Sequence, residues 1–181
     1  MTFRPTLFAI MIAGIAATLP AQQAPAVPAT MAASVNQQLS IAEHEVVSAA
    51  EAMPESKYSF APTNGNFKGV RTFAAQVRHI AGTNYWLSGM ITGAKVAGDE
   101  GDSKQASKAQ LVQYLKDSFA AAHHAVDTLN DANAFQAVPG AFGGHMNRLS
   151  LAVMMCAHPF DHYGQIVEYL RMNGIIPPAS R

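Results

Sequence analysis

Two histidines, His158 and His162, lie four residues apart near the C-terminus, in the segment CAHPFDHYGQIVEYLRM. A helix turns by about 100° per residue, so positions four apart share a face. Both histidines fall within an apolar stripe, where a buried imidazole without a partner costs about 1–3 kcal/mol. Neutral imidazole is also a good ligand for zinc, nickel, copper and iron. The pair is therefore either two buried polar groups that need other partners or half of a metal site.

A divalent ion would need at least one more protein ligand, and His79 is the best candidate. It lies in the segment TFAAQVRHIAGTNYWL, on the flank of an apolar stripe and on the side shared with Trp86. Pro159, between the two C-terminal histidines, has no N–H and disfavours helical geometry at the preceding residue. We therefore expect either a kink within the helix or a new helix that starts at Pro159, which would separate the two imidazoles.

The other histidines have weaker claims to chemistry. On a helical wheel His44 lies nearly opposite its apolar stripe, and His124 also points outward. His123 flanks an apolar side, where it would either line a pocket or sit at the core edge with its hydrogen bonds satisfied. His145 follows two glycines, which favours a loop or helix-start position.

Several polar and aromatic residues lie close enough to the histidines to support a site. Asp161 falls about 100° from His162 on the wheel, which favours an outer or surface carboxylate over a ligand. Gln165 and Tyr163 could orient the imidazoles or a bound water, although plain packing explains them equally well. Trp86 could wall an apolar pocket. No residue is identified as a general acid or base.

Four segments with apolar residues at helical spacing would position these side chains, and no run shows sustained period-2 alternation. The stripes are narrow, as in antiparallel bundles. They comprise Val35, Leu39, Ala42, Val46, Ala49 and Met53; Phe73, Val77, Ile80, Asn84, Leu87 and Ile91; Leu111, Leu115, Ser118, Ala122, Val126 and Leu129; and Leu151, Met155, His158, His162, Ile166 and Leu170. The sequence therefore predicts an all-α four-helix bundle, with Ser103 as the N-cap of the third helix and Gly174 ending the fourth.

Composition excludes some functions. Lys+Arg and Asp+Glu balance at 12 each among 181 residues, so no excess of positive charge would favour nucleic acid. The single cysteine, Cys156, cannot form an internal disulfide, and we interpret it as a small buried apolar residue. The sequence has no C-x-x-C-H motif, which excludes covalent c-type haem.

The N-terminus has the pattern of a secretory signal peptide. Arg4 is followed by an apolar run of roughly 13 residues and then by small residues, whereas a transmembrane helix needs about 20. We expect a signal peptide over residues 1–21, a flexible Pro/Ala-rich leader over 22–33 and the bundle over 34–181. Cleavage after Ala26 is the second choice, and the other interpretation of this segment is an uncleaved N-terminal anchor. Once cleaved, the mature protein is secreted or periplasmic, with no stable membrane span.

Three motifs, MPESKYSFAPT, VRTFAAQVRHIAGTNYWL and CAHPFDHYGQIVEYLRMNGIIPPAS, occur in an order that resembles the DinB superfamily of metal-binding four-helix bundles. The resemblance covers roughly residues 35–180. It implies up-down-down-up topology and one divalent metal held by three histidines, which at the matching positions are His79, His158 and His162. Pro159 departs from the pattern, because many relatives have a helix-compatible residue there.

The resemblance also suggests functions. The best-understood members of the family are thiol-dependent transferases and isomerases of the cytosol, whereas the signal peptide predicts a compartment without a reducing thiol pool. Three imidazoles leave coordination positions open, as catalytic sites do. We expect a metal-dependent hydrolase or transferase with an unknown small-molecule substrate. Zinc or nickel is the first expectation, with iron or manganese as alternatives. The other interpretation is a non-enzymatic periplasmic metal- or haem-binding or structural bundle, and a homodimer is left open.

Overall fold

Four long helices form the molecule, and the computed structural model describes residues 27–95 and 106–181. The helices are α1 (Met31–Ala52), α2 (Phe73–Thr92), α3 (Lys108–Asp127) and α4 (Arg148–Met172). Short 3₁₀ segments at Glu55–Lys57, Ala141–Gly144 and Pro178–Ser180 lie outside them. Over these two ranges there is no strand, only an isolated antiparallel bridge between Ala137 and Asn147. The predicted all-α four-helix bundle is confirmed.

The predicted stripes form the core. Every residue of the four stripes is buried except Val35 and His158, which are partly buried. The polar members of the stripes also meet each other, because the buried Asn84 amide on α2 donates a 3.2 Å hydrogen bond to Ser118 on α3. The spacing of apolar residues in the sequence therefore predicted correctly which face of each helix is buried.

The helix starts are capped by side chains. Thr30, Thr72 and Asn147 each accept a hydrogen bond from the backbone N–H three residues later. Helix α1 begins at Met31, so its first three residues come from the segment expected to be a flexible leader.

The third helix begins later than the sequence suggested. Its N-cap is Ser107, not Ser103, and Ser107 forms a reciprocal capping box with Gln110. Ser103 itself lies outside the described residues. A capping box satisfies two backbone N–H donors at once, which explains why the later serine starts the helix.

Hydrogen bonds between helices fix the direction of α1 relative to its neighbours. The Cys156 thiol contacts the carbonyl oxygen of Val35 at 3.7 Å, and further along both helices Tyr163 donates to Glu45 at 2.7 Å, so α1 and α4 run parallel. Helix α3 runs opposite to α1, because its earlier residue Lys116 pairs with Glu51 near the end of α1. Its later residue, His123, reaches Asn36 near the start.

Helix α2 runs opposite to α4. Gln76, in the first turn of α2, pairs with Gln165 in the second half of α4, whereas Trp86, near the end of α2, shares a cavity with Met154 near the start of α4. Since α4 is parallel to α1 and α3 is antiparallel to it, the order is up-down-down-up. This confirms the topology that the family resemblance implies, with α2 and α3 parallel and joined by a long connection.

The expected signal peptide, residues 1–21, and residues 22–26 of the expected leader lie outside the described residues. Among the helices at 27–95 and 106–181, none is long and apolar enough to cross a membrane.

Candidate metal centre

Three histidines from two helices meet at the α2–α4 interface. His79 comes from α2 and is partly buried, while His158 and the buried His162 come from α4. One nitrogen from each ring lies within 4.8 Å of the others. The ring centroids are 4.5–5.0 Å apart, and the Nε2 atoms of His79 and His158 are 3.2 Å apart. The structure therefore brings together the three residues singled out from the sequence.

Pro159 does not separate the two histidines of α4. The helix is continuous from Arg148 to Met172, and Pro159 is buried inside it. Neither a new helix at Pro159 nor displacement of His158 is observed. Proline has no N–H to offer to the carbonyl of Met155, four residues earlier, so the helix continues at the expense of one hydrogen bond. Packing of α4 against α1 and α2 outweighs that loss.

Burial keeps two of the imidazoles neutral. Burial, reinforced by the nearby His162 and His79 rings, lowers the pKa of His158 to about 4 from its ordinary 6.5. Burial and His79 also lower the pKa of His162. Asp161 acts in the opposite direction on both rings but is the smaller effect. Neutral imidazoles have the lone pairs that a metal ion requires, so these rings are prepared for coordination at neutral pH.

The donor set fits a divalent ion. Two nitrogens about 2.0–2.1 Å from one tetrahedral zinc ion lie about 3.3–3.4 Å apart, which is close to the His79–His158 separation. His158 Nδ1 is buried without a hydrogen-bond partner, so the protein groups around it do not satisfy this ring. The interpretation of the pair as fully satisfied core histidines therefore fails at this atom, while the spacing of the two Nε2 atoms is the observation that favours a metal site. The ligand roles themselves remain a prediction.

A chain of two glutamine amides reaches the cluster from the side. Gln76 Nε2 on α2 donates to Gln165 Oε1 at 2.6 Å, and Gln165 Nε2 faces His162 Nδ1 at 3.4 Å. With Nδ1 directed at Gln165, Nε2 is the nitrogen of His162 left for an ion. If His162 binds an ion through Nε2, its proton lies on Nδ1 and needs an acceptor. A 180° rotation of both glutamine amides would turn Gln165 Oε1 toward that Nδ1–H group.

Gln76 was missed in the sequence, although a polar residue three positions before His79 was a visible signal. It is 1% exposed, and its Oε1 atom is buried without a partner. The other outer candidate, Tyr163, does not orient the histidines, because its hydroxyl donates to Glu45 on α1. Burial and that hydrogen bond raise the pKa of Tyr163 to about 12, so it is not a base at neutral pH.

A cavity of about 470 Å³ opens beside His158. Its walls come from α2, α4 and the connection between α3 and α4; they are Thr83, Trp86, Phe142, Met154, Ala157, His158 and Asp161. Trp86 thus does wall a pocket, in edge contact with Phe142 at 5.3 Å between ring centroids. Asp161 is exposed at the same cavity, as expected for a surface or outer carboxylate.

The remaining histidines lie elsewhere. His123 does not line this pocket; it is held in the α1–α3 interface by Asn36 at 2.7 Å and Glu43 at 3.2 Å, as a satisfied residue at the core edge. His44, His124 and His145 are exposed, the last between α3 and α4.

Cys156 is not a nucleophile candidate. Burial raises the pKa of its thiol to about 11, so the reactive thiolate is scarce at neutral pH.

Comparisons with known proteins support the fold. A family model described as the DinB superfamily matches residues 38–166, more than half of the chain. A crystal structure of a conserved protein from Enterococcus faecalis is similar to 80% of this chain and 97% of its own, with a TM-score of 0.62 and 12% sequence identity. At that identity the likeness concerns the fold alone. No curated protein matched the sequence.

Proposed function

The chain belongs to the DinB superfamily, and from that premise we propose that it is a metal-dependent hydrolase or transferase. The ligands of its divalent ion are His79, His158 and His162. One observation carries the proposal: nitrogens of three imidazoles lie within 4.8 Å of one another, and one of these rings, His158, lines a cavity large enough for a small molecule.

The roles of the residues follow from their positions. A divalent ion held by these three imidazoles would supply Lewis acidity to a polar group of a substrate in the adjoining cavity. Burial keeps the imidazoles of His158 and His162 neutral, and Gln165 holds the ring of His162 in place. Asp161 is the one carboxylate among the cavity's lining residues, so it is the group placed to accept a proton from a bound nucleophile. Zinc or nickel is the metal that we propose, since both accept imidazole readily.

Elemental analysis of protein purified without an affinity tag tests the metal site. We expect close to one equivalent of a transition metal. A panel of ester, amide and thiol-conjugate substrates then tests catalysis, and activity should disappear on chelation and return when the metal is restored. Stoichiometric metal without turnover on any class would favour the non-enzymatic binding protein. A Soret absorption band would favour haem, and neither metal nor haem would leave a structural bundle.

We also propose that the protein is exported, because residues 1–21 have the charge and apolar pattern of a signal peptide. Fractionation of the expressing cells, with N-terminal sequencing of the mature protein, tests this proposal. A mature N-terminus at Gln22 or Val27 is the expected result, and an intact Met1 on the recovered protein would refute cleavage.

A further inference from the structure

The cavity beside His158 is lined by two large aromatic side chains that are partly open to solvent. Trp86 is 42% exposed and Phe142 is 48% exposed, although the two rings contact each other. Thr83 lies one helical turn after His79 on α2, and Trp86 lies almost one turn further on, so the apolar wall continues the line of the candidate ligand. The cavity therefore adjoins the histidine cluster at His158, the one candidate ligand among its lining residues.

The backbone of Phe142 is held in an unusual conformation that places its ring in this wall. Its φ and ψ angles are 46° and 48°, in the left-handed region, and it is the only non-glycine residue with positive φ within 27–95 and 106–181. For a bulky side chain this conformation costs about 1–2 kcal/mol. Gly140 and Gly143, on either side, also have positive φ and allow the tight turn. Glycine would fit at position 142 with less strain, so the aromatic ring lies in the wall at a backbone cost.

The charge around the cavity restricts what it can bind. Among the lining residues, Asp161 is the only one with a formal charge at neutral pH. The Asp161 carboxylate at the rim of the cavity repels anionic groups such as phosphate. The apolar walls favour aromatic or aliphatic groups, and a volume of about 470 Å³ is within the range of pockets for small organic ligands.

We propose that Trp86, Phe142 and Met154 form a subsite for the uncharged, apolar or aromatic part of the substrate, whose polar reactive group faces His158. The proposal rests on the proposed metal-dependent function, since it names the class of molecule that the metal centre acts on. It predicts uncharged aromatic esters or amides as substrates in preference to anionic ones.

Trp86 provides a direct measurement, because it is the only tryptophan in the chain. The probe is 4-nitroanisole, an uncharged nitroaromatic quencher, and its anionic counterpart of similar size is 4-nitrobenzoate. Fluorescence titrations use the protein as purified and the same protein after treatment with a chelator. We expect saturable quenching by 4-nitroanisole in both samples. In the chelated sample, where no ion attracts a carboxylate, 4-nitrobenzoate should bind at least tenfold more weakly than 4-nitroanisole.

Two variants test the wall itself. Phe142→Gly should weaken 4-nitroanisole binding about tenfold, because it removes one aromatic face of the subsite. Phe135→Gly is the matched control, since Phe135 is also exposed on the α3–α4 connection but does not line the cavity, and it should leave binding unchanged. Linear quenching without saturation, or equal affinity of wild type and Phe142→Gly, would overturn the proposal.

The outcomes separate this proposal from the proposed function. Protein that purifies without metal but shows saturable, Phe142-dependent quenching would keep the subsite and refute the metal-dependent reaction. Metal-containing protein with only linear quenching would refute the subsite and leave the metal centre intact.

Discussion

Replacement of Gln76 by methionine should weaken metal binding without weakening the fold. Gln76 is buried in α2, and its amide holds Gln165, which in turn faces His162. Methionine has nearly the same length and fills the same space, and it removes the amide. Gln165 then loses its partner and can turn toward solvent, so the His162 ring loses its support.

The magnitude follows from the contacts. One hydrogen bond of this kind contributes about 0.5–1.5 kcal/mol net, and loss of an outer partner of a ligating histidine typically costs about 10–100-fold in metal affinity. We therefore expect about a tenfold loss, equivalent to about 1.4 kcal/mol. Stability should respond differently, because the substitution also removes the buried Gln76 Oε1 atom, which has no partner. An unsatisfied buried polar atom costs about 1–3 kcal/mol, so its removal offsets the loss of the Gln76–Gln165 hydrogen bond. The free energy of unfolding of the metal-free protein should therefore change little.

Competition with a chromophoric chelator measures the affinity, and urea unfolding of the metal-free protein measures the stability. Asn84→Leu is the matched control. Asn84 is also a buried amide on α2 with one bond to a neighbouring helix and one unpartnered oxygen, but its partner is Ser118, not a residue at the histidine cluster. Its metal affinity should equal that of the wild type. Unchanged affinity in Gln76→Met, or an equal loss in Asn84→Leu, would refute the reasoning.

Three further predictions concern the site and its surroundings. His162→Ala should reduce the metal content of untagged protein to near zero by elemental analysis, while His44→Ala retains it; full retention in the first variant would count against the ligand assignment. Because the pKa of His158 falls from 6.5 to about 4 on folding, the unfolded state binds more protons between these values, and the free energy of unfolding of metal-free protein should rise from pH 4 to 6.5. A flat urea-unfolding profile across that window would contradict the burial of this ring. Phe142→Gly should change the free energy of unfolding by no more than about 1 kcal/mol, since relief of strain offsets lost contact, whereas Phe119→Ala in the core should cost about 3–5 kcal/mol; a large loss in Phe142→Gly would show that its ring belongs to the core.

The sequence was sufficient for the fold because apolar periodicity reports burial directly. Each of the four stripes became the inner face of one helix, including the polar positions Asn84 and Ser118. Helix starts were harder to place. Ser103 and Ser107 are both acceptable N-caps, and the deciding feature was Gln110, which completes a capping box with Ser107.

The site was only partly predictable, because spacing along a helix does not encode what the neighbouring helix presents. The wheel placed His79 on a flank, and its meeting with His158 depends on how α2 packs against α4. The local rule for Pro159 was overridden by the same packing. Phe142 was missed because its position depends on a left-handed backbone, which no periodic pattern signals. Gln76 was missed because its role appears only through Gln165.

The distance along the chain between the candidate ligands has a consequence for assembly. His79 and His158 are 79 residues apart in sequence, yet their nitrogens nearly touch. A cation shared by them would act as a reversible cross-link between the first and last halves of the polypeptide, and a disordered chain could not present the same site. At a free metal concentration 100 times the dissociation constant, such a link would add about 2.7 kcal/mol to the stability of the native state. A nascent chain in which α4 has not yet been synthesised contains only His79 of the three candidate ligands. Metal uptake would therefore mark the completion of folding.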